Sequence, residues 1–289
     1  GISNCAYQIG FTKALLKYLS RDEIKFISAS SGGIFTGYAL SADKLDLLEQ
    51  LYLNVGITKL PQLFWQVFAK GLLSNYVDAI TYCQDKLEIP LCFTVCYVPL
   101  FSIRYYWIYG KYNRTWLKHF KAAINYPFLK IFPSFLHGRF ALDGGAADNI
   151  PLYPLLKMNK PVPDEGDADL IFVLHFDARY DHRRDFKTDV PVLDLDLSYC
   201  NGFKKAHYDY SSETVAERIK LGFEYGEKIC ERLFAGDCSK ESLKRSIDEI
   251  FLEEHTLRQQ NFSIDRLLSF LNVAGKTLRN DAHCIKKLY

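Results

Sequence analysis

Residues Glu23 to Leu40, E-I-K-F-I-S-A-S-S-G-G-I-F-T-G-Y-A-L, hold the pattern on which the fold turns. Ile24 to Ser28 reads as a short buried strand, the next residues as a turn of tiny side chains, and Gly32-Gly33 as the start of a helix. A serine pressed into a tight strand-to-helix turn stands above its sheet with the hydroxyl exposed. The N–H groups of the first helical turn point at the same spot. Small neighbours are required there, because a Cβ at the turn would collide with the strand behind it. Ser30 fits the place, with Ala29 before it, Ser31 after it and Gly32 at plus two. Ser28 stands where the G-x-S-x-G form would have its first glycine. Ser31 also has a glycine at plus two, Gly33, so the register is open between the two serines. An ordinary helix N-cap would account for the same Ser-Gly pair.

At 289 residues with 48% hydrophobic content, the chain is long and apolar enough for one large domain or two modest ones. The net charge of +2 gives no electrostatic case for a nucleic-acid partner. Eight cysteines are scattered without a C-x-x-C pair, which points to free thiols in a reducing compartment and not to a disulfide framework or a zinc site. The opening residues look like an internal loop, so the sequence is expected to be cut from a longer one.

Outward from the turn, Ala6 to Leu19 has apolar residues at helical spacing, and Ser41 to Val55 gives an amphipathic helix with Ser41 as its expected N-cap. Lys59 to Leu73 is greasy for a connector. It reads as a core helix, or as a lid whose Leu63, Phe64, Trp65 and Phe68 dip into lipid with Lys59 and Lys70 at head-group level. A helix is expected over Asn75 to Leu87. Ile89 to Tyr112 is the most apolar run, but Pro90, Pro99 and Arg104 argue for two buried strands around a turn at Tyr97 to Leu100. Then follow a helix (Thr115 to Asn125), a proline-bounded loop, a strand (Arg139 to Leu142) and a continuous apolar strand (Asp169 to Phe176). Val190 to Leu197 suits another strand and Ser212 to Phe234 a long amphipathic helix. Alternating strands and helices predict an α/β domain over residues 1–236, followed by a helical extension over 237–289.

Asp143 is the second polar point. A carboxylate at a strand end, followed by Gly144 and Gly145, suits a base that faces a nucleophile; a plain Asp-Gly turn is the ordinary alternative. Together, S-A-S-S-G-G and F-A-L-D-G-G-A-A-D-N-I-P-L resemble the patatin-like phospholipases, the serine–aspartate lipid acyl hydrolases. The likeness runs from Gly1 to about Ala178. It takes in Ala6 to Gly10 and Ala14-Leu15 as the helix after the family's oxyanion loop, Phe132-Pro133, and Asn149-Ile150-Pro151. The implied fold is a three-layer sandwich with a mostly parallel central sheet, like the cytosolic phospholipase A2 catalytic domain. The resemblance gives Ser30 the nucleophile's place and Asp143 that of its base, and it implies no cofactor and no metal. The family loop is roughly G-G-G-x-R/K-G, and here Gly1, Ile2, Ser3, Asn4 and Cys5 stand in it. Ile2 and Cys5 take glycine places and Asn4 replaces the basic residue, which alters the oxyanion hole expected at Gly1 to Asn4. The strand that should precede the loop is absent from the sequence.

The implied reaction is ester hydrolysis through an acyl-serine, on a phospholipid or acylglycerol at a membrane surface, in a cytoplasmic or peripheral membrane setting. A histidine triad is the enzymatic alternative, but His175, His182, His207, His255 and His283 lie in uninformative contexts. Asp177-x3-Asp181-His182 is a sparse hint of a metal site. The alternative from another class is a catalytically weak lipid-binding or scaffold relative, which the altered loop favours.

Overall fold

A computed structural model of the chain describes residues 4–68, 70–82, 86–125, 134–162, 168–176, 186–200 and 209–260. Along them run α1 (Cys5–Leu15), β1 (Ile27–Ala29), α2 (Gly33–Ser41), α3 (Leu45–Leu53), α4 (Leu60–Phe68) and α5 (Leu72–Thr81). β2 (Leu87–Val98), β3 (Ser102–Gly110), α6 (Arg114–Ala123), β4 (Ser134–Leu136), β5 (Arg139–Asp143) and α7 (Tyr153–Lys157) follow. The described part ends with β6 (Ile171–His175), β7 (Val192–Asp196), α8 (Ser212–Phe234) and α9 (Lys240–Gln260). The protein is α/β.

β2 organises the main sheet. Its residues are buried from Ile89 to Tyr97, as its unbroken apolar sequence requires. One edge is taken by β3, antiparallel from Leu91–Ile108 to Tyr97–Ser102, with a register irregularity next to Pro90. The other edge is shared. β1 pairs parallel with Leu91 to Phe93, and β5 pairs antiparallel with Val95 to Val98. Two strands running in opposite directions therefore meet end to end beside Thr94. β4 completes the sheet as a hairpin with β5. Its turn, His137-Gly138, has both residues at positive φ (50° and 74°), the geometry that a two-residue hairpin loop demands.

Among the described residues this five-stranded sheet is mixed, with β1–β2 its one parallel pairing. The expectation of a mostly parallel centre is corrected accordingly. The chain between the elbow and Asp143 turns back through tight hairpins, where a parallel sheet needs crossover helices. The parallel pair β6–β7 forms a second, two-stranded sheet, as the apolar runs near residues 171 and 192 predict.

α1 is buried on almost every side. Ala6 and Ile9 join the main core with α2, α3, α5, α6 and β2, while Tyr7, Phe11 and Leu15 face a second core built with β7, α8 and α9. Glycines let α1 and α8 touch backbone to backbone. A Cβ on Gly10 would lie 1.9 Å from the Ile219 carbonyl oxygen, and one on Gly222 would lie 2.1 Å from that of Tyr7. Leu243, Ile247 and Ile250 of α9 belong to this second core. Through these residues α9 packs into the body of the protein across the expected boundary at 236; residues 261–289 lie outside the described residues.

Two local expectations shift. Ser41 closes α2 and does not cap α3, because its hydroxyl donates to the Ile89 carbonyl of β2. In α4, Val67 is buried and Leu63 packs on the main core, whereas Trp65 is 62% exposed. The stretch is a half-buried amphipathic helix; the side chains of Phe64 and Phe68 lie outside the described residues. No described helix is long and apolar enough to cross a membrane.

Candidate active site

Ala29, the last residue of β1, pairs with Phe93, and the chain turns sharply after it. Ser31 takes the turn with φ 53°, the left-handed region that non-glycine residues rarely enter. The Ser30 carbonyl accepts from Gly33 N–H at 3.1 Å and the Ser31 carbonyl from Ile34 N–H at 3.1 Å, so α2 begins within two residues of the strained position. The expected elbow is present, one residue later than Ser30.

That shift separates the two serines chemically. Ser31 Oγ donates a 2.7 Å hydrogen bond to Asp143 Oδ2. Ser30 is buried, and its Oγ has no hydrogen-bond partner among the described residues. The hydroxyl that meets Asp143 is thus that of Ser31, and not that of Ser30 as expected from the sequence. The left-handed residue of the turn is the one lifted off the sheet, and its predecessor still follows the strand inward.

Asp143 arrives from the opposite direction. As the last residue of β5 it pairs with Val95, and its N–H donates to the Asn125 carbonyl at 2.9 Å. β1 ends opposite Phe93 and β5 opposite Val95, so the two strand ends stand either side of Thr94. Gly144 is what permits this closeness, since a Cβ there would sit 2.2 Å from the Thr94 carbonyl oxygen. The second carboxylate oxygen is also held: Gly145 N–H donates to Asp143 Oδ1 at 2.7 Å. The side chain cannot rotate without losing one of its two bonds. Asp143 is only 2% exposed, and burial pushes its carboxyl up to about 6, although the hydrogen bonds from Ser31 and Gly145 pull the other way. A carboxyl near 6 is a better proton acceptor than an ordinary aspartate and is still ionised at neutral pH.

The surroundings are tied in by polar contacts that sequence reading did not find. Tyr105 OH of β3 donates to Asp148 Oδ2 at 2.6 Å, and Asp148 Oδ1 accepts from Ile150 N–H at 3.3 Å, which fixes the loop after the Asp-Gly-Gly turn. Gln8 of α1 lies beside Gly33 at the start of the elbow helix and donates from Nε2 to the Leu174 carbonyl of β6 at 3.2 Å. Thr94 and Tyr105 sit in apolar strand runs whose letters give no signal of a site.

Of the expected oxyanion residues, Gly1, Ile2 and Ser3 lie outside the described residues, and Asn4 stands at the N-cap of α1. Phe132-Pro133 and the Asp177–Asp181–His182 grouping also lie outside them, as do His182, His207, His283 and the side chain of His255. His175 is buried in β6 with its Nε2 3.3 Å from Asp194 Oδ1, a core pairing between neighbouring strands. Among the described residues no group of three or more potential ligands could hold a metal ion. No protein-family model and no curated protein matches the chain.

Proposed function

We propose that the protein is a serine carboxylic-ester hydrolase acting on lipid acyl esters through a Ser31–Asp143 dyad. The observation that carries the reading is the 2.7 Å hydrogen bond from a left-handed elbow serine to a buried carboxylate that retains a proton up to about pH 6. The Asp-Gly-Gly turn and the strand-elbow-helix around Ser31 support the likeness to patatin-like phospholipases, and with it a sandwich of the cytosolic phospholipase A2 kind.

In the proposed reaction Asp143 Oδ2 accepts the Ser31 proton as Oγ attacks the acyl carbonyl. The resulting oxyanion faces the first turn of α2, where the Gly32 N–H follows the nucleophile directly, the place such donors occupy in serine hydrolases. Collapse breaks the ester C–O bond, and the proton passes from Asp143 to the leaving alcohol. Asp143, ionised again, takes a proton from water, which attacks acyl-Ser31; as the acyl C–Oγ bond breaks, that proton passes from Asp143 to Ser31 Oγ and the fatty acid is released. Gly145 N–H holds Oδ1 throughout, so Oδ2 stays turned toward the hydroxyl. No histidine takes part.

A fluorophosphonate probe tests the reading directly. The wild-type chain should label at Ser31, and Ser31→Ala should abolish both labelling and p-nitrophenyl ester turnover. A wild-type protein that neither labels nor hydrolyses any lipid ester would favour the non-catalytic lipid-binding alternative.

A further inference from the structure

The β2–β3 hairpin and the β4–β5 hairpin turn at the same end of the sheet: Ser102 pairs with Tyr97 just before the first turn, and Phe140, close to the His137-Gly138 turn of the second, pairs with Val98. Their tips expose apolar side chains: Leu100 is 82% exposed, Phe101 59%, Phe135 69% and Phe140 52%. Phe135 and Phe140 meet edge to face with ring centres 5.6 Å apart. Between the tips lies an open pocket of about 320 Å³ lined by Tyr97, Val98, Leu100, Phe135, Arg139 and Phe140. Scattered surface leucines are ordinary, but a contiguous group of this kind marks a contact surface. Phe101 is held there at φ 47°, a strained setting for a bulky residue that solvent exposure alone does not explain.

Charge and position choose the occupant. Arg104 and Arg139 are exposed beside the patch, and neither Tyr97 to Tyr105 nor Ser134 to Leu142 contains a carboxylate. Apolar tips flanked by arginines suit a bilayer surface with anionic headgroups. β2 runs parallel to β1 and continues past its end toward the tips, so the patch lies beyond Ser31 in the direction in which β1 points. Phe140 is three strand residues from Asp143, roughly 10 Å at the usual rise.

We infer that the tips of these two hairpins, Leu100-Phe101 and Phe135/Phe140 with Arg104 and Arg139, form a surface that inserts into anionic phospholipid bilayers and sets the Ser31–Asp143 site at the lipid interface. The choice of a bilayer as occupant rests on the lipid reading of that site, whereas the surface itself is tested by binding alone. It is separate from α4, where Trp65 is exposed but Leu63 and Val67 are committed to packing.

Co-sedimentation with vesicles of ether-linked phospholipids, with and without an anionic headgroup, removes turnover from the measurement. The wild-type chain should partition onto anionic vesicles, and so should Ser31→Ala. Leu100→Ser/Phe101→Ser should lower the partition coefficient at least about tenfold with an unchanged melting temperature. Arg104→Gln/Arg139→Gln should weaken binding to anionic vesicles and flatten its salt dependence. Binding lost in the tip variants of a protein that labels with no fluorophosphonate would uphold the surface while removing the hydrolase reading. The inference is overturned if the wild type stays in the supernatant, or if the tip variants bind as it does. It is also overturned if sedimentation velocity shows a dimer that Leu100→Ser/Phe101→Ser dissociates, because the patch would then be a protein contact.

Discussion

Ser31 and Asp143, 112 positions apart, share a 2.7 Å hydrogen bond because two strands end facing one another on the same edge of β2. The neighbouring Ser30 is equally small and has the same kind of sequence context, yet its hydroxyl is turned into the interior without a partner there. Ser31→Ala should therefore reduce ester turnover at least about 10³-fold, the scale on which loss of a nucleophile is felt. Ser30→Ala, which removes a buried hydroxyl with no described bond, should stay within a few-fold of wild type. Labelling retained in Ser31→Ala and lost in Ser30→Ala would reverse the assignment.

Turnover should also depend on pH in one direction. The base form of Asp143 is needed, and burial lifts its carboxyl to about 6. The rate constant kcat/KM should rise tenfold per pH unit below that value and level off above it. A soluble ester measured between pH 4.5 and 8 checks this, and an acid limb centred near pH 4 would mean that Asp143 is not the group being titrated.

The same burial has a thermodynamic consequence. The folded carboxyl holds its proton up to about 6, whereas an unfolded aspartate releases it near pH 3.9. Between those values the folded state binds more protons, so this group's contribution to stability falls as pH rises and is flat above about 6. Asp143→Asn removes the charge and can keep both bonds, its carbonyl accepting from Gly145 and its amide donating to Ser31. It should raise stability at pH 7 by about 1–3 kcal/mol, with little gain at pH 4, while stopping turnover. Thermal unfolding of both proteins at the two pH values measures the difference.

Close backbone approaches give a fourth expectation. Gly144→Ala must push β5 away from Thr94, since the new Cβ meets a carbonyl at 2.2 Å, and should separate Asp143 from Ser31 and abolish labelling. Gly222→Ala meets the Tyr7 carbonyl at 2.1 Å and should lower Tm by roughly 5–10 °C, the scale of overpacking by a methyl group against an atom that cannot move aside. A circular dichroism melt of each variant, run beside fluorophosphonate labelling, separates loss of the site from loss of the fold.

Much of this was legible in the letters because each feature leaves a local mark. The tiny residues from Ser28 to Gly33 announce the elbow, the pair of glycines after Asp143 announces a close approach, and Pro99 splits the long apolar run into the hairpin observed. The choice between Ser30 and Ser31 was not legible. Both have glycine two residues on, and what separates them is a single backbone angle set by where β1 leaves β2. Strand direction was hidden as well. The β4–β5 hairpin is short, and its turn is made by His137 in a left-handed conformation, not by the Asn-Gly pair that would have signalled it. The partners of Asp143 in Val95 and Asn125 depend on pairings that no local pattern encodes.

The glycine-lined crossing of α1 and α8 makes the first and last parts of the described chain one cooperative unit. Lys17 and Glu227 form an ion pair across it, 210 positions apart. α1 carries no polar face with which it could stand in water alone, and its far end leads to the elbow through Gln8. A nascent chain released before residue 234 would leave the Tyr7, Phe11 and Leu15 face of that helix uncovered, so the support behind the Ser31–Asp143 pair is completed only after synthesis has passed Ser31 by about two hundred residues. Fragments split anywhere between the two helices should each be inert and should recover function only when mixed.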